Sequence, residues 1–504
     1  MGVLESLDDA IFGVPRSSAS RRLRWALLAC LFLAGAAYWA YFFNFGRVSL
    51  AGADWIWQSA TLKALRSALL SGTMPWQWRA LPGAWESYTM RYLTSIVPLT
   101  PDIVLLPVVS NAVFLLLHTL IFYSVGFVGS VRLARRANAN LMSLSFFWLL
   151  FNFNGFIAAQ LAVGHFEYSG YFLLPIFLDL ALGTAVGSDN AGPTLDLDRA
   201  VWIGVLIGVL ILNGSVHIAF WCCGFLLVMV LWRWQLVLTV GVAFLTGIGL
   251  GLGRLLPAAL YVPSPGPFVS GYPNLGVLFA GFTAVRIPDA AYVLGGRFGA
   301  LGWWEYDIYV GLAALLIVVV AAVVAFRAHG HRRIAPALAA GVALFVLSLG
   351  DIYALLRTIA PGVAGIERVS TRLIIIPFLL LLTIAMEGLA VATREWPRTS
   401  RICTLIAVPV VCWQLAMHVR LWTIADVKRL FPVNNVIPVL RLVPNTDPRY
   451  AAIVLGSWVV SLVALCVVVA VLWWRHRSGR SAVPGVKSDW VIDDRSDAPS
   501  PEGA

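Results

Sequence analysis

Apolar residues along the chain gather in blocks of about 20, a length that crosses a hydrocarbon core as a helix, and not in the one-sided stripes of helices on a soluble core. Twelve blocks read as spans: 25–45, 102–124, 139–162, 168–186, 199–216, 218–234, 235–253, 308–326, 335–350, 370–392, 402–422 and 451–474. Lipid offers backbone groups no hydrogen-bond partner, so each block satisfies itself as a helix. The pattern predicts an all-α, polytopic transmembrane helical bundle of about 12 spans. Residues 1–24 form a polar N-terminal segment without a cleavable signal, 25–474 the membrane domain, and 475–504 a Ser-, Gly-, Pro- and Asp-containing tail expected to be disordered.

Composition agrees: of 504 residues, 60% are hydrophobic and 12% charged, against roughly 25% charged in soluble chains. The net charge of +11 sits in clusters at span ends. These are Arg21, Arg22 and Arg24; Arg132, Arg135 and Arg136; Arg327, Arg332 and Arg333; Arg394, Arg398 and Arg401; and Arg475, Arg477 and Arg480. With twelve spans all five clusters share one side, which the positive-inside rule makes cytoplasmic, with both termini. Such clusters suit anionic lipid headgroups, so membrane lipids are expected partners and nucleic acid is not. Cys30, Cys222, Cys223, Cys403, Cys412 and Cys466 lie in apolar blocks without metal-ligand spacing and read as small buried hydrophobes. Asp179 and Glu387 stand singly inside spans, too sparse for a proton relay.

The opposite face receives four long segments, 46–101, 254–307, 351–369 and 423–450, and any chemistry belongs there. The first segment opens on Asp54 and Trp55, then an interfacial helix over 56–71. Leu62, Leu65 and Leu69 mark its apolar side, Lys63 and Arg66 can face headgroups, and Gly72 and Pro75 stop it. An aromatic and turn-rich stretch follows, with Arg79 and Glu86 as candidate substrate contacts. Asp54 is placed to deprotonate or align an acceptor hydroxyl; the alternative is a helix-capping or solvated loop aspartate. His165 and Glu167, in Gly164-His165-Phe166-Glu167-Tyr168, lie on a turn at the same face and suit sugar or phosphate oxygens and proton transfer. His217 reads as a structural hydrogen-bonding group. Arg368 and Arg372, one helical turn apart, are candidate phosphate contacts, with Arg254 and Arg297 as further ones. Trp303-Trp304-Glu305-Tyr306-Asp307 reads as an interfacial aromatic belt.

These features together resemble the GT-C superfamily of polytopic glycosyltransferases, and more narrowly the YfhO-like bacterial membrane proteins. The likeness is carried by Asp54 just after the first span, the interfacial helix, Gly72-Thr73-Met74-Pro75-Trp76, the Gly164-His165 step, and Glu367-Arg368-Val369-Ser370-Thr371-Arg372 leading into the tenth span. It covers roughly residues 25–395. The resemblance implies GT-C-like extracytoplasmic loops, a bacterial inner membrane, and a polyprenyl-phosphate-linked sugar as donor. It implies transfer to an envelope glycan or lipid, with Asp54 as general base or acceptor-orienting residue. The chain departs from larger members in lacking a substantial soluble domain after the last span. It also lacks an Asp-x-Asp pair in the first outer segment, so a divalent metal is not indicated and no cofactor is assigned. A transporter or lipid-linked saccharide flippase is the alternative from another class. An envelope polymerase or ligase differs mainly in acceptor.

Overall fold

A computed structural model describes residues 3–13, 17–50, 54–81, 89–91, 98–186, 192–261, 267–285, 292–293, 300–329, 334–424 and 439–478. Glu86, Arg297, Arg332, Arg333, Arg480 and the tail from 479 lie outside the described residues.

The chain runs through α1 (Val3–Ile11), α2 (Ser18–Phe42), α3 (Trp55–Ser71), β1 (Gln77–Leu81), β2 (Thr89–Arg91), α4 (Asn111–Arg136), α5 (Leu141–Asn152), α6 (Gly155–Val163) and α7 (Leu174–Val186). It continues with α8 (Leu197–Asn213), α9 (Val216–Trp232), α10 (Val237–Tyr261), α11 (Leu275–Thr283), β3 (Tyr292–Val293), β4 (Ala300–Leu301), α12 (Leu312–His329) and α13 (Ala335–Leu347). It closes with α14 (Gly350–Ile359), α15 (Pro361–Ala364), α16 (Ile375–Glu395), α17 (Pro397–Leu421), β5 (Val439–Val443) and α18 (Pro448–Arg477).

Eight helical runs among the described residues are long and apolar enough to cross a membrane: Ser18–Phe42, Asn111–Arg136, Leu141–Val163, Phe166–Ala185, Trp234–Tyr261, Ser370–Glu395, Pro397–Leu421 and Pro448–Arg477. Shorter apolar helices pack among them. The protein is an all-α, multi-pass helical membrane protein. Burial divides the bundle into an inner and an outer layer. The apolar window of Phe166–Ala185 is 94% buried, whereas those of α2, α17 and α18 are each 22% buried. Leu405, Trp413, Val459 and Leu462 on α17 and α18 point outward, as a lipid solvent demands and water would not tolerate. The same outward facing corrects the reading of the cysteines. Cys222 is buried, but Cys30, Cys403, Cys412 and Cys466 are exposed, because apolar blocks on outer helices have a lipid side.

Two span readings change. The second span starts at Asn111 and not near 102, because Pro101–Leu105 forms a separate 3-10 turn and the Ser110 hydroxyl caps α4 by accepting from the Val113 N–H at 3.3 Å. The third span is broken at Phe153 and Asn154. The Asn154 amide donates to the carbonyls of Leu150 (3.0 Å) and Phe151 (2.7 Å), and Gly155 N–H donates to Tyr309 O at 2.9 Å. The break is satisfied by protein, as non-helical backbone at that depth requires.

At one end of the bundle the N-terminal segment is tied down. Asp8 meets Arg401 at 2.5 Å, and Asn140 Nδ2 donates to Phe12 O (3.1 Å) and Thr393 Oγ1 (2.7 Å). Asp179 belongs to this end. It is bound by Arg132 at 2.7 Å and Arg136 at 2.8 Å, so it is not the single unpaired carboxylate that its place in the sequence suggested. At the opposite end β2, β1 and β5 form a small antiparallel sheet, with Trp78 opposite Leu442, tying the first long loop to the approach to α18. The Arg91 guanidinium lies 4.1 Å from both the Tyr261 and Tyr450 rings and 3.0 Å from Asp447, which locks that sheet onto α10 and α18.

Candidate active site

The site begins at the end of α6. A helix leaves its last carbonyls without partners, and here residues 54 and 55 supply them. Asp54 N–H donates to Val163 O at 2.9 Å, and the Trp55 indole N–H to Ala162 O at 3.1 Å. Gly164 permits this, because its φ is +99° and a Cβ there would stand 2.4 Å from the Trp55 nitrogen. The contact delivers the Asp54 carboxylate to the next residue of the turn, His165, whose Nε2 lies 2.9 Å from Asp54 Oδ2. Asp54 precedes α3 but makes no side-chain cap there, and its side chain is 61% exposed. That removes the helix-capping alternative. The helix over 55–71 forms as expected, closed by Gly72 in the left-handed region, with Leu62 and Leu65 buried and Lys63 exposed. Arg66 turns inward, its guanidinium donating to the carbonyls of Leu106 (2.8 Å) and Val109, and does not face headgroups.

A continuous polar chain runs inward from Asp54. His165 Nδ1 bonds Gln160 Oε1, and Gln160 Nε2 donates to Trp304 O (3.1 Å) and Glu305 Oε2 (3.2 Å). Glu305 takes a two-pronged pair from Arg372, at 2.7 and 2.5 Å. Arg372 also lies 3.8 Å from Glu367, which accepts from Trp221 Nε1 at 2.9 Å and from His217 Nδ1 at 3.1 Å. The Trp303–Asp307 segment is therefore no interfacial belt. Trp303, Glu305, Tyr306 and Asp307 are buried, and Asp307 is held by His418 and Trp422 at 2.8 Å each. Gly155 admits that carboxylate, since a Cβ there would sit 1.7 Å from Asp307 Oδ1.

The chain fixes protons. The Gln160 amide faces a carboxylate and a carbonyl on one side, so its NH₂ points there and its oxygen faces His165. Nδ1 of His165 must then donate. Its Nε2 faces the Asp54 carboxylate, and that contact is attractive only when Nε2 also carries a proton. His165 is thus held as imidazolium behind an outward carboxylate. Burial by itself favours the neutral ring. The hydrogen bond to Asp54 and the charges of Glu167 and Glu305 outweigh it, against opposition from Arg372, and hold the His165 pKa above the ordinary value. The associated stabilisation is complete below the unfolded imidazole pKa and is lost as pH rises through the raised one. In Asp54→Asn the ring should release its proton at lower pH. Diethyl pyrocarbonate, which modifies neutral imidazole, would show this as a downward shift in the pH at which the His165 peptide becomes reactive. An unchanged midpoint would mean Asp54 does not hold that proton.

Deeper in, burial opposes ionisation of Glu367, yet the His217 and Arg372 charges and the Val369 amide pull its carboxyl down to about 2. Glu305 is likewise held below the usual range, its burial outweighed by Arg372 first. Glu167 is half-buried, with Gln58 Nε2 at 3.5 Å and its own carbonyl taken by the Ser215 hydroxyl. Arg254 lies inside α10, not in a loop. It is buried, donates to Leu212 O at 2.9 Å and is electrostatically coupled to Glu167. Arg368 and Arg372 part ways, because Val369 is extended and the 3-10 helix begins only at Ser370: Arg368 is exposed and Arg372 is committed to two carboxylates. Arg79, on β1, is exposed. Gln160, Glu305, Glu367 and Trp221 complete the site without having been singled out for it. The signal for Gln160 and Trp221 was a polar atom inside an apolar block, which requires a partner.

Among the described residues no group of three or more His, Cys, Asp or Glu is placed to hold a metal ion. A scan against protein-family models matches none, and a search of curated proteins finds no match.

Proposed function

We propose that this chain is a GT-C-type, YfhO-like glycosyltransferase that moves a sugar from a polyprenyl-phosphate carrier to an envelope glycan or lipid. The observation that carries the reading is the exposed Asp54 carboxylate, 2.9 Å from an imidazole held protonated behind it. Asp54 takes the proton of the acceptor hydroxyl, whose oxygen attacks the anomeric carbon. The bond from that carbon to the carrier phosphate breaks, and the phosphate leaves with the electron pair. Asp54 and Glu167 serve the reacting end, while Arg79, Arg254 and Arg368 supply positive charge at the same end of the bundle.

Counting α8, α9, α12 and α13 with the eight longer runs gives twelve crossings. That count gathers the described arginines of the five basic clusters at the N-terminal end, so in a bacterial inner membrane both termini are cytoplasmic and Asp54 faces outward. A transporter is the weaker reading. Its ionisable groups would line a path between the two ends, whereas here the site chain gathers at one end and Asp179, at the other, is neutralised by Arg132 and Arg136.

The test is mass spectrometry of envelope glycans and glycolipids from a deletion strain and the same strain carrying the wild-type chain. Loss of one sugar from one acceptor, with its lipid-linked donor retained and complementation by the wild type, is expected. A deletion that leaves every glycan intact would overturn the transferase.

A further inference from the structure

Of the three arginines that end α4, the fold spends two on one carboxylate. Arg132 and Arg136, a helical turn apart, meet Asp179 on α7 at 2.7 and 2.8 Å. Arg135, between them in the chain, falls on another side of the helix. It lines a groove between α2, α4 and the start of α5, together with Arg24, Trp25, Leu28, Val131 and Leu144. The spacing accounts for the lining. Residues 24 and 28 on α2, and 131 and 135 on α4, are each one turn apart, so each helix brings a cation and an apolar side chain to the same space.

The groove encloses about 410 Å³ of empty space, counted out to its open side. That is room for a phosphate and the first methylenes of an acyl chain. Its polar end is built into the bundle. Arg24 is only 6% exposed and is fixed by donating to Gly13 O at 3.2 Å. A guanidinium carries five N–H donors, enough to hold a carbonyl and an anion together. Burying its charge is costly, and an anion admitted by the groove offsets that cost. Leu28 and Leu144 are buried walls, whereas Trp25 is exposed, as suits an indole at the headgroup boundary.

This lining selects one class of occupant. A small soluble anion would match the guanidiniums but leave the apolar walls wet. An uncharged apolar chain would bring no charge to complement the two cations. A lipid with a net negative phosphodiester head does both. We infer that one anionic phospholipid is held in this groove, its phosphate between Arg24 and Arg135 and the start of one acyl chain along Leu28, Val131 and Leu144. Basic clusters attract such lipids diffusely over a membrane surface; here the fold makes a single seat. It lies at the opposite end of the bundle from Asp54 and is independent of the transferase reading.

Native mass spectrometry of the purified full-length chain, titrated with phosphatidylglycerol or phosphatidylcholine, tests it, with thermal midpoints showing that each variant is folded. The wild type should take up one phosphatidylglycerol more tightly than further copies, and more tightly than phosphatidylcholine. Arg135→Gln should lose about tenfold of that affinity, the worth of one charge-assisted hydrogen bond. Val131→Phe fills the groove while keeping both cations, and should also lose it. Arg398→Gln removes the same charge from an exposed arginine outside the groove, and should bind as the wild type does. Equal losses in Arg135→Gln and Arg398→Gln would reduce the effect to diffuse surface charge and overturn the inference. Undiminished binding in Val131→Phe, or a wild type that does not distinguish the two lipids, would overturn it as well.

Discussion

Arg372→Met should lower the stability of the bundle by about 3–5 kcal/mol, the usual cost of removing one partner from a buried ion pair, and with it the yield of folded protein in membranes. The Glu305 side chain is 4% exposed and that of Glu367 fully buried, and Arg372 is the cation between them. Methionine fills the volume but leaves two carboxylates facing each other without it. They would have to take up protons or draw in water, and either opens the contact between the Trp303–Asp307 segment, α6 and the start of α16. Thermal unfolding in detergent reads the loss as a lowered midpoint. Glu305→Gln introduced together with Arg372→Met should recover part of it, because it removes one of the orphaned charges. Wild-type stability in Arg372→Met, with donor affinity alone reduced, would return Arg372 to the role its position in the sequence first suggested.

That contrast shows where reading the chain as a string succeeds. The apolar blocks, the interfacial helix over 55–71 and the turn at Gly164-His165 follow from local rules, since length, amphipathicity and left-handed backbone all act within one or two turns. Asp54 and His165 were each legible for that reason. Their contact was not, because it depends on α6 borrowing donors from a segment more than a hundred residues earlier in the chain. Arg368 and Arg372 share a face only if residues 368–372 are α-helical, and the extended Val369 between Arg368 and the 3-10 helix that starts at Ser370 separates them. The aromatic segment at 303–307 carries the composition of a membrane belt, and composition cannot tell a belt from a core ring cluster. The buried Glu305 and Asp307 decide it, each held by partners from distant helices. His217 was read as structural on its surroundings in the chain. Its Nδ1 does hold Glu367, and its Nε2 has no hydrogen-bond partner among the described residues.

Asp54→Asn should lower the rate of sugar transfer by about 10²–10⁴-fold, the range for loss of a positioned general base, while leaving the protein folded. The two halves of that statement rest on different atoms. Residue 54 is anchored by its backbone, through N–H to Val163 O at 2.9 Å, and Trp55 by its indole to Ala162 O, and asparagine disturbs neither. Its amide oxygen can still accept from His165, so the turn keeps its shape. What asparagine cannot do is take the acceptor's proton as a carboxylate does. The loss should therefore fall on kcat, with KM for the lipid donor little changed, because residue 54 is proposed to act on the acceptor hydroxyl and not on the donor phosphate. Transfer by purified wild type and variant, from a short isoprenyl-phosphate sugar at matched protein, separates the two constants. If kcat survives and KM for the donor rises, Asp54 holds the substrate without taking its proton, and Glu167, on the same turn beyond His165, becomes the base to test. If both constants are unchanged against a wild type that does transfer, the Asp54–His165 pair is part of the scaffold and the reacting atoms lie elsewhere on this end of the bundle.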